Sequence, residues 1–409
     1  MPVAKEYGVK VSKKGEYDKW LKTHQPFHWF IEFYGILNGG GFDVVIGNPP
    51  YVESVKVRSC YQPKRLTTVN SGNLYGMVCE VALKILGKSS RFGVIIPMSV
   101  VSTARMTSVR NFIFAASDAV YLSHYSGNRN PSVLFEGVEM RLTICLTKTK
   151  TARAESNVVQ AFSTEFRRWS SSAREYLFSC TSYVRVPDRF LSGTLFPKFG
   201  TEMEEAILAK IIDVSGPCNL GISTLIDGGH NVYAHRIASY FVKGLTFVPR
   251  FSSERDGEKR SEDYKVFSFS SKDHASAACC VINSSLFYLY FIVFSDAYHC
   301  GRDLIEQFPV NIPHLSGLQP YEIKLLEKAL MNDLTTNSDI RTISYEKTGS
   351  VEMQKFFPKL SKNILDEIDT LLGRYYGFTP LELDFIINYD IKYRLGRAGD
   401  AEGEQDAVL

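Results

Sequence analysis

The sequence lacks the features that mark secreted, zinc-binding or membrane-spanning proteins. Its eight cysteines are scattered through 409 residues, and neither a C-x-x-C pair nor a Cys/His group has the spacing of a zinc site. The N-terminal segment is polar and has no apolar core of a signal peptide. The longest apolar run, residues 286–294, is too short to cross a bilayer. These absences predict a soluble, cytoplasmic protein with reduced thiols, no metal site and no membrane partner.

An excess of charge of one sign is also missing. The chain has 47 Lys and Arg against 44 Asp and Glu, so the net charge is only +3. This balance excludes a pervasively basic coat for nucleic acid, but it is compatible with a local basic groove. The ordinary globular composition and the length predict two or three domains.

A pattern of strands and helices is present in the first third of the chain. Residues 42–47 (FDVVIG) form a short apolar run that predicts a strand buried on both faces, as in a parallel sheet. Apolar residues at helical spacing predict a helix over 74–86 that ends with Gly87 as its C-cap. Further elements are predicted as strands over 93–97, 119–125 and 141–147 and a helix near 108–114. This alternation favours an α/β layer over residues 1–150.

The rest of the chain divides by composition into two further parts. Polar, Ser-rich sequence between about 150 and 180 suits a linker or a domain boundary. Residues 151–320 alternate short apolar runs with turns and predict a mixed α+β module, and residues 321–409 predict a helical tail with a frayed end.

The motif with the clearest chemistry is Asn48-Pro49-Pro50-Tyr51, at the carboxyl end of the predicted strand, where open α/β sheets bind ligands. The Asn48 side-chain oxygen and the Pro49 carbonyl can both accept hydrogen bonds from one planar NH2 group, and the prolines stiffen this pair. Two acceptors stabilise positive charge on that nitrogen without a general base. Tyr51 can stack through its ring, rather than its hydroxyl, on the base that carries the amine. The alternative is a structural Pro-Pro turn.

Several segments together resemble a known family. They are W-x-x-E-F at 29–33, GGGFDVVIGNPPYV at 39–52, GVIIPMSVVST at 93–103, LFEGVEMRLTICL at 134–146, FYLYFIVFSDAYHCGRDLIEQFPV at 287–310 and GFTPLELDFIINYDIKYRLG at 377–396. In this order they resemble the N6-adenine DNA methyltransferases of the gamma order, specifically Type IIG restriction-modification methylases with a TaqI-type specificity domain. Each segment is weak alone except NPPY.

The resemblance implies a fold and an activity. The fold is the C-terminal part of a Rossmann-like class I methyltransferase sheet (1–150), followed by an α+β DNA-specificity domain (151–320) and a helical tail (321–409). The activity is transfer of a methyl group from S-adenosylmethionine to the N6 amine of an adenine in double-stranded DNA, within a restriction-modification or phage-defence system. The target base must be flipped out because its amine is paired inside the duplex.

The resemblance also assigns residues. Asn48, Pro49, Pro50 and Tyr51 bind the flipped adenine, and Phe135 closes its other face, unless Phe135 is a core residue at a strand entrance. Tyr75 aligns with an aromatic that is expected to be structural.

Basic residues are the candidates for DNA contact. The interval between Glu53 and Glu80 contains no acidic residue, and its basic residues are Lys56, Arg58, Lys64 and Arg65. This loop directly follows the base pocket, where phosphates are expected. Candidates in the specificity domain are His235, Arg236, Lys243 and Arg250. The alternative for both sets is an ordinary solvated surface.

One family feature is missing. The glycine-rich loop that holds S-adenosylmethionine should precede NPPY, but only 47 residues do so, none reads F-x-G-x-G, and the triplet at 39–41 precedes the wrong strand. We therefore expect a truncated or split product whose cofactor-binding half comes from a second chain, with an exposed apolar edge strand. A PD…(D/E)-x-K nuclease constellation is also missing, so restriction by this chain is not expected.

Two alternative functions follow. The missing loop favours a non-catalytic DNA-binding specificity protein or an inactive remnant. NPPY also serves methyltransferases that act on a protein glutamine amide, but roughly 350 residues follow the motif here, which argues for DNA.

Overall fold

The computed structural model describes residues 4, 8–25, 27, 29–59, 63, 65–127, 133–135, 137–151, 159–169, 171–226, 229–238, 240–345 and 349–396. The chain forms two compact units, residues 1–200 and 201–409.

Unit 1 is built on one six-stranded sheet. Its strands are β1 Phe42–Gly47, β2 Leu86–Pro97, β3 Ser117–Tyr125, β4 Leu142–Thr149, β5 Gln160–Arg167 and β6 Val184–Arg185, in the order β1-β2-β4-β3-β5-β6. The pairs β1/β2 and β3/β5 are parallel, whereas β4 runs antiparallel between β2 and β3. The unit is therefore mixed α/β.

Seven α-helices are described in unit 1. They are α1 Lys14–His24, α2 Trp29–Glu32, α3 Tyr34–Asn38, α4 Ser54–Val57, α5 Leu74–Ile85, α6 Ser99–Ser102 and α7 Thr107–Ala115. Helix α5 connects the parallel strands β1 and β2, and the Asn73 side chain caps its first turn by accepting from the Tyr75 N–H. The predicted helices over 74–86 and 108–114 and the predicted strands from 93 to 147 are confirmed, with bounds shifted by a few residues.

Strand β1 differs from its prediction. It is a strand, but Val44 and Ile46 are 58% and 80% exposed, so it is not buried on both faces. Within the described residues β1 pairs with β2 alone and occupies the edge of the sheet. An apolar run predicts burial only if another element covers it, and none of the described elements covers these two side chains.

The role predicted for Gly87 was also wrong. Helix α5 ends at Ile85, and β2 begins at the next residue, so Gly87 lies inside the strand. Its lack of a side chain serves close packing instead, since a Cβ on Gly87 would lie 2.9 Å from the Gly40 carbonyl oxygen. In the same contact, a Cβ on Gly41, whose φ is +106°, would lie 2.6 Å from the Gly87 nitrogen. The turn before β1 therefore packs backbone against backbone on the start of β2.

The predicted linker between about 150 and 180 does not separate the units. Strand β5 lies within it and pairs with β3, because its side chains alternate and bury Ala161 and Ser163 against the unit. The boundary between the two units lies between Gly200 and Thr201. The functional division into 1–150, 151–320 and 321–409 stays a prediction.

Unit 2 combines two antiparallel sheets with helices. The strands are β7 His230–His235, β8 Gly244–Leu245, β9 Phe251–Ser253, β10 Gly257–Glu258, β11 Tyr264–Phe269, β12 Ser338–Tyr345 and β13 Gly349–Phe356. One sheet has the order β10-β9-β13-β12 and the other β11-β7-β8. The helices are α8 Glu202–Ser215, α9 Lys272–Asn283, α10 Ser285–Phe294, α11 Arg302–Glu306, α12 Ile312–Leu318, α13 Pro320–Thr336, α14 Lys362–Tyr376, α15 Pro380–Ile387 and α16 Ile391–Arg394.

The predicted helical tail needs a correction. Helices α13 to α16 are present, but the hairpin of β12 and β13 interrupts them and pairs with β9. The hairpin joins residues distant in sequence, so local periodicity did not indicate it. The predicted frayed end, residues 397–409, lies outside the described residues.

The core of unit 2 contains α9 and α10, which are buried along most of their length. In the described part of the chain no single helix is long and apolar enough to span a bilayer. Helices α9 and α10 would reach that length only as a pair, and the pair is bent by 61°.

Candidate functional site

Residues 48–51, called the catalytic loop after the role predicted for them, directly follow β1 at the carboxyl end of the parallel pair β1/β2. Asn48 and Pro50 are exposed, whereas Pro49 is buried. The predicted acceptor Asn48 thus lies at a solvent-accessible sheet edge, next to a proline that the structure holds in place.

Backbone hydrogen bonds connect the residues after this loop to the start of α5. The Val52 carbonyl accepts from the Leu74 N–H at 2.9 Å, and the Ser54 N–H donates to the Gly72 carbonyl at 2.9 Å. An antiparallel bridge between residues 53 and 73 lies between these bonds. The conformation of the catalytic loop therefore depends on where residues 72–74 are held.

The Tyr51 hydroxyl has a partner that the sequence did not indicate. It donates a hydrogen bond of 2.9 Å to the Ile95 carbonyl in β2, and partial burial raises the pKa of Tyr51. Gly47, the last residue of β1, pairs with Val94, so the Ile95 carbonyl lies just past the end of the β1/β2 ladder. The expectation that only the ring matters is incomplete, since the hydroxyl anchors that ring to β2.

The two predicted stacking aromatics pack against the same hydrophobic cluster. Tyr51 and Phe135, both half-buried, pack against buried Tyr125, Leu134, Leu142, Trp169 and Leu177. The rings of Tyr125 and Trp169 meet edge to face, with their centroids 6.0 Å apart. Residues separated by more than eighty positions are thus brought to one side of the sheet.

Arg174 positions the segment before Phe135 and was missed in the sequence. Its guanidinium donates to the Val133 carbonyl at 3.1 Å and to the Leu134 carbonyl at 2.7 Å. Arg174 stands in the Ser-rich stretch interpreted as a linker, and no local pattern indicates a contact across forty residues.

Tyr75 has a structural position, in agreement with its predicted role. It is fully buried, and its hydroxyl lies 2.9 Å from the Ser99 hydroxyl at the start of α6. Burial raises the pKa of Tyr75 well above its ordinary value. Tyr75 therefore connects the helices that follow β1 and β2.

The predicted basic loop is partly described. Lys56 in α4, Arg58 directly after it, and Arg65 are exposed, and Arg65 has a φ of +66°. Lys64 lies outside the described residues. Lys56 and Arg58 thus lie five and seven residues after Tyr51, the last residue of the catalytic loop.

The basic candidates of unit 2 are mostly engaged with neighbours. Arg236 forms an ion pair with Asp263 at 2.6 Å, and Arg250 forms one with Glu352 at 3.4 Å. His235 contacts the Ile237 carbonyl through Nδ1 at 2.7 Å. Lys243 is half-buried, and its carbonyl accepts from the His235 N–H. The ion pairs reduce the charge that Arg236 and Arg250 present to solvent.

One glycine of the triplet at 39–41 serves close packing. A Cβ on Gly41 would meet backbone atoms of residues 85–87 within 2.8 Å, whereas a Cβ on Gly40 would meet no such neighbour within 4 Å. Among the described residues, no group of three or more His, Cys, Asp or Glu side chains could hold a metal ion.

Residues 3–130 match the model of the Eco57I restriction-modification methylase family. The match contains β1, the catalytic loop, α5, β2 and β3. It spans less than a third of the chain, so it concerns the first part of unit 1 alone.

A protein of Methanocaldococcus jannaschii that carries the name of a type II restriction enzyme and methyltransferase is 27% identical over 178 residues, 42% of this chain. The chain spans only 14% of the length of that relative.

Two solved structures are distantly similar. The ATP-dependent Type ISP restriction-modification enzyme LlaBIII bound to DNA aligns with a TM-score of 0.34 at 10% identity, over 78% of this chain and 33% of that one. The type IIG restriction endonuclease BpuSI aligns with a TM-score of 0.27 at 11% identity, over 80% and 43% of the two chains. Similarities this low carry no argument about function.

Proposed function

We propose that this chain is the target-base and DNA-specificity part of a restriction-modification methylase that methylates the N6 amine of adenine in double-stranded DNA. The observation that carries the proposal is the position of the NPPY loop. It follows β1 at the carboxyl edge of a parallel strand pair, with Tyr51 beside the hydrophobic cluster that Phe135 also contacts. The match of residues 3–130 to the methylase family supports it.

In the proposed reaction the catalytic loop binds the flipped adenine. The Asn48 side-chain oxygen and the Pro49 carbonyl accept hydrogen bonds from its amine. The Tyr51 ring stacks on one face of the base and Phe135 on the other, and each stacking contact contributes about 1–3 kcal/mol. Exposed Lys56, Arg58 and Arg65 hold backbone phosphates beside the pocket.

The cofactor S-adenosylmethionine is, in this proposal, bound by polypeptide other than the described residues, in line with the missing F-x-G-x-G motif before NPPY. A second chain is the proposed source. Calorimetry on the chain alone should therefore show no saturable binding of S-adenosylmethionine.

The proposal is tested by expressing the chain, alone and with the product of the neighbouring gene, in a bacterial strain without adenine methylation. Sequencing of native genomic DNA should find N6-methyladenine at one short motif when both are present, and none with Asn48→Ala. DNA that stays unmodified under both conditions would contradict the proposal.

A second candidate is a non-catalytic DNA-specificity protein, favoured by the missing F-x-G-x-G motif before NPPY. It predicts sequence-selective DNA binding by the purified chain together with unmodified DNA in every co-expression.

A further inference from the structure

A buried carboxylate in α5 lies behind the catalytic loop. Glu80 is completely buried, and its carboxylate accepts hydrogen bonds from the backbone N–H and the hydroxyl of both Thr67 and Thr68, at 2.8–3.1 Å. Lys84, one helical turn later, forms an ion pair with it at 2.6 Å. A buried charge is tolerated only with such partners, so the two threonines have one well-defined position relative to α5.

The ionised form of Glu80 is strongly favoured. Burial opposes ionisation, but the hydrogen bonds from Lys84, Thr67 and Thr68 outweigh it and lower the pKa of Glu80 to about 2. The carboxylate therefore keeps all its acceptor positions at neutral pH.

The turn that Glu80 holds leads directly to the catalytic loop. Thr67–Ser71 form a 3-10 turn that ends at Gly72 in a left-handed conformation. Gly72 then accepts from the Ser54 N–H, and Leu74 donates to the Val52 carbonyl. The carboxylate of Glu80 holds the start of this turn, and the residues at its end bond to Val52 and Ser54. The turn thus connects α5 to the residues that directly follow Tyr51.

A second observation concerns the same turn. A Cβ on Gly76 would lie 2.7 Å from Val109 Cγ2 and 2.8 Å from Ser71 Oγ. Helix α5 therefore packs against the turn so closely that only glycine fits at this position. The turn is held from two sides, by Glu80 through hydrogen bonds and by Gly76 through contact.

We propose that Glu80 is a positioning residue that sets the conformation of the catalytic loop through the turn 67–71. The proposal rests on the proposed function only for its consequence in catalysis; the structural coupling stands without it. Lys84 supports this coupling, because its ion pair stabilises the buried charge that accepts the four bonds from the threonines.

Hydrogen–deuterium exchange on the full-length chain tests the coupling. Glu80→Ala and Gly76→Ala should each raise the exchange rate roughly tenfold in peptides covering residues 48–59 and 66–74. Exchange there requires local opening, and both substitutions weaken contacts that oppose it. Peptides from β3 and β4 should exchange as in the wild type. Val78→Ala, at an exposed position of the same helix, is the matched control and should leave the catalytic loop unchanged.

Two milder substitutions at Thr68 test the same coupling if Glu80→Ala or Gly76→Ala does not fold. Thr68→Val preserves volume and removes one hydroxyl bond to Glu80, whereas Thr68→Ser keeps that hydroxyl. The proposal is supported if residues 48–59 exchange faster in Thr68→Val and at the wild-type rate in Thr68→Ser. Faster exchange confined to 66–74, or an equal increase throughout unit 1, overturns it.

The catalytic consequence has a separate measurement. If the wild-type protein methylates DNA, Thr68→Val should lower the single-turnover rate roughly tenfold, which corresponds to about 1.4 kcal/mol in activation free energy. DNA affinity should be unchanged. Thr68→Ser should restore the rate. A wild type without methyl transfer would contradict the proposed function, and the exchange result would still decide the positioning role.

Discussion

At the scale of single residues, the catalytic loop combines an exposed acceptor with an anchored ring. Asn48 is exposed at the sheet edge, whereas Tyr51 is fixed at both ends, by its backbone and by its hydroxyl bond to the Ile95 carbonyl. Stacking needs a ring held in one plane, and the hydroxyl bond supplies that constraint. The two residues therefore respond differently to substitution.

Tyr51→Phe keeps the ring and removes the bond to the Ile95 carbonyl. We expect it to weaken DNA capture by about 1 kcal/mol, the net value of one hydrogen bond, whereas Tyr51→Ala should cost about 1–3 kcal/mol more. Titration of a target duplex by fluorescence anisotropy measures both. Equal losses for the two variants would exclude stacking.

Asn48→Ala should lower the rate of methyl transfer far more than DNA affinity. Its oxygen contacts only the target amine in the proposed complex, and a fixed acceptor dipole there stabilises the transition state by about 2.7–4 kcal/mol if oxyanion-hole magnitudes apply. Single-turnover methylation by the reconstituted enzyme should fall roughly a hundred- to a thousandfold. Near-normal turnover, or equal loss of rate and binding, would make NPPY a structural turn.

At the scale of elements, a buried carboxylate stabilises the start of α10. Asp369 in α14 accepts from the Ser285 and Leu286 N–H groups at 2.8 and 3.2 Å. Arg394 donates to the Ser285 hydroxyl at 2.9 Å and lies over the Tyr288 ring. Burial raises the pKa of Asp369 to about 6, although the hydrogen bonds and Arg394 oppose the shift.

Asp369→Asn should flatten the dependence of stability on pH. The folded pKa of about 6 exceeds the unfolded value near 3.9. The contribution of Asp369 is therefore complete below about pH 4 and is lost as the pH rises through 6. Urea unfolding should show wild-type stability falling by up to about 3 kcal/mol more than that of the variant between pH 4 and pH 7.5. Parallel pH profiles for the two proteins would contradict this account.

At the scale of the whole molecule, two surfaces decide how the chain behaves in solution. One is the edge of β1, where exposed Val44 and Ile46 lie on a strand with one described partner. The other is the basic loop beside the catalytic loop, with exposed Lys56, Arg58 and Arg65. An apolar edge strand favours self-association, and clustered cations favour DNA.

Ile46→Lys should reduce self-association of the purified chain, because a charge on an edge strand opposes pairing with another strand. Light scattering over a concentration series measures it. Ile226→Lys is the control, since Ile226 is 99% exposed but lies outside any strand. The same improvement with both variants would show that general surface hydrophobicity, and not the β1 edge, is responsible.

DNA binding should depend on salt in proportion to the phosphates contacted. Each of the single variants Lys56→Ala, Arg58→Ala and Arg65→Ala should reduce the magnitude of the slope by about 0.9, where the slope is that of log binding constant against log salt concentration. Lys13→Ala, at an exposed cation paired with Glu16, is the control and should leave the slope unchanged. Unchanged slopes for all the loop variants would exclude this loop as a phosphate site.

The sequence alone determined the local elements and the chemistry of the motif. Strands β1 to β4 and helices α5 and α7 follow from runs and periodicities within a dozen residues, and NPPY directly follows the predicted β1. Neighbouring residues carry this information, because a helix or strand repeats over short distances.

The tertiary structure alone decided what surrounds that motif. Several features depend on partners brought together by the fold. They are the exposure of β1, the bond from Tyr51 to Ile95, the threonines on Glu80, the packing of Tyr51 and Phe135 on one hydrophobic cluster and the hairpin of β12 and β13. Hydrophobic periodicity tells which side of an element prefers burial, but it does not tell which element, if any, will cover that side. The contacts that hold the catalytic loop join residues 12 to more than 80 positions apart, and chain folding alone sets those distances.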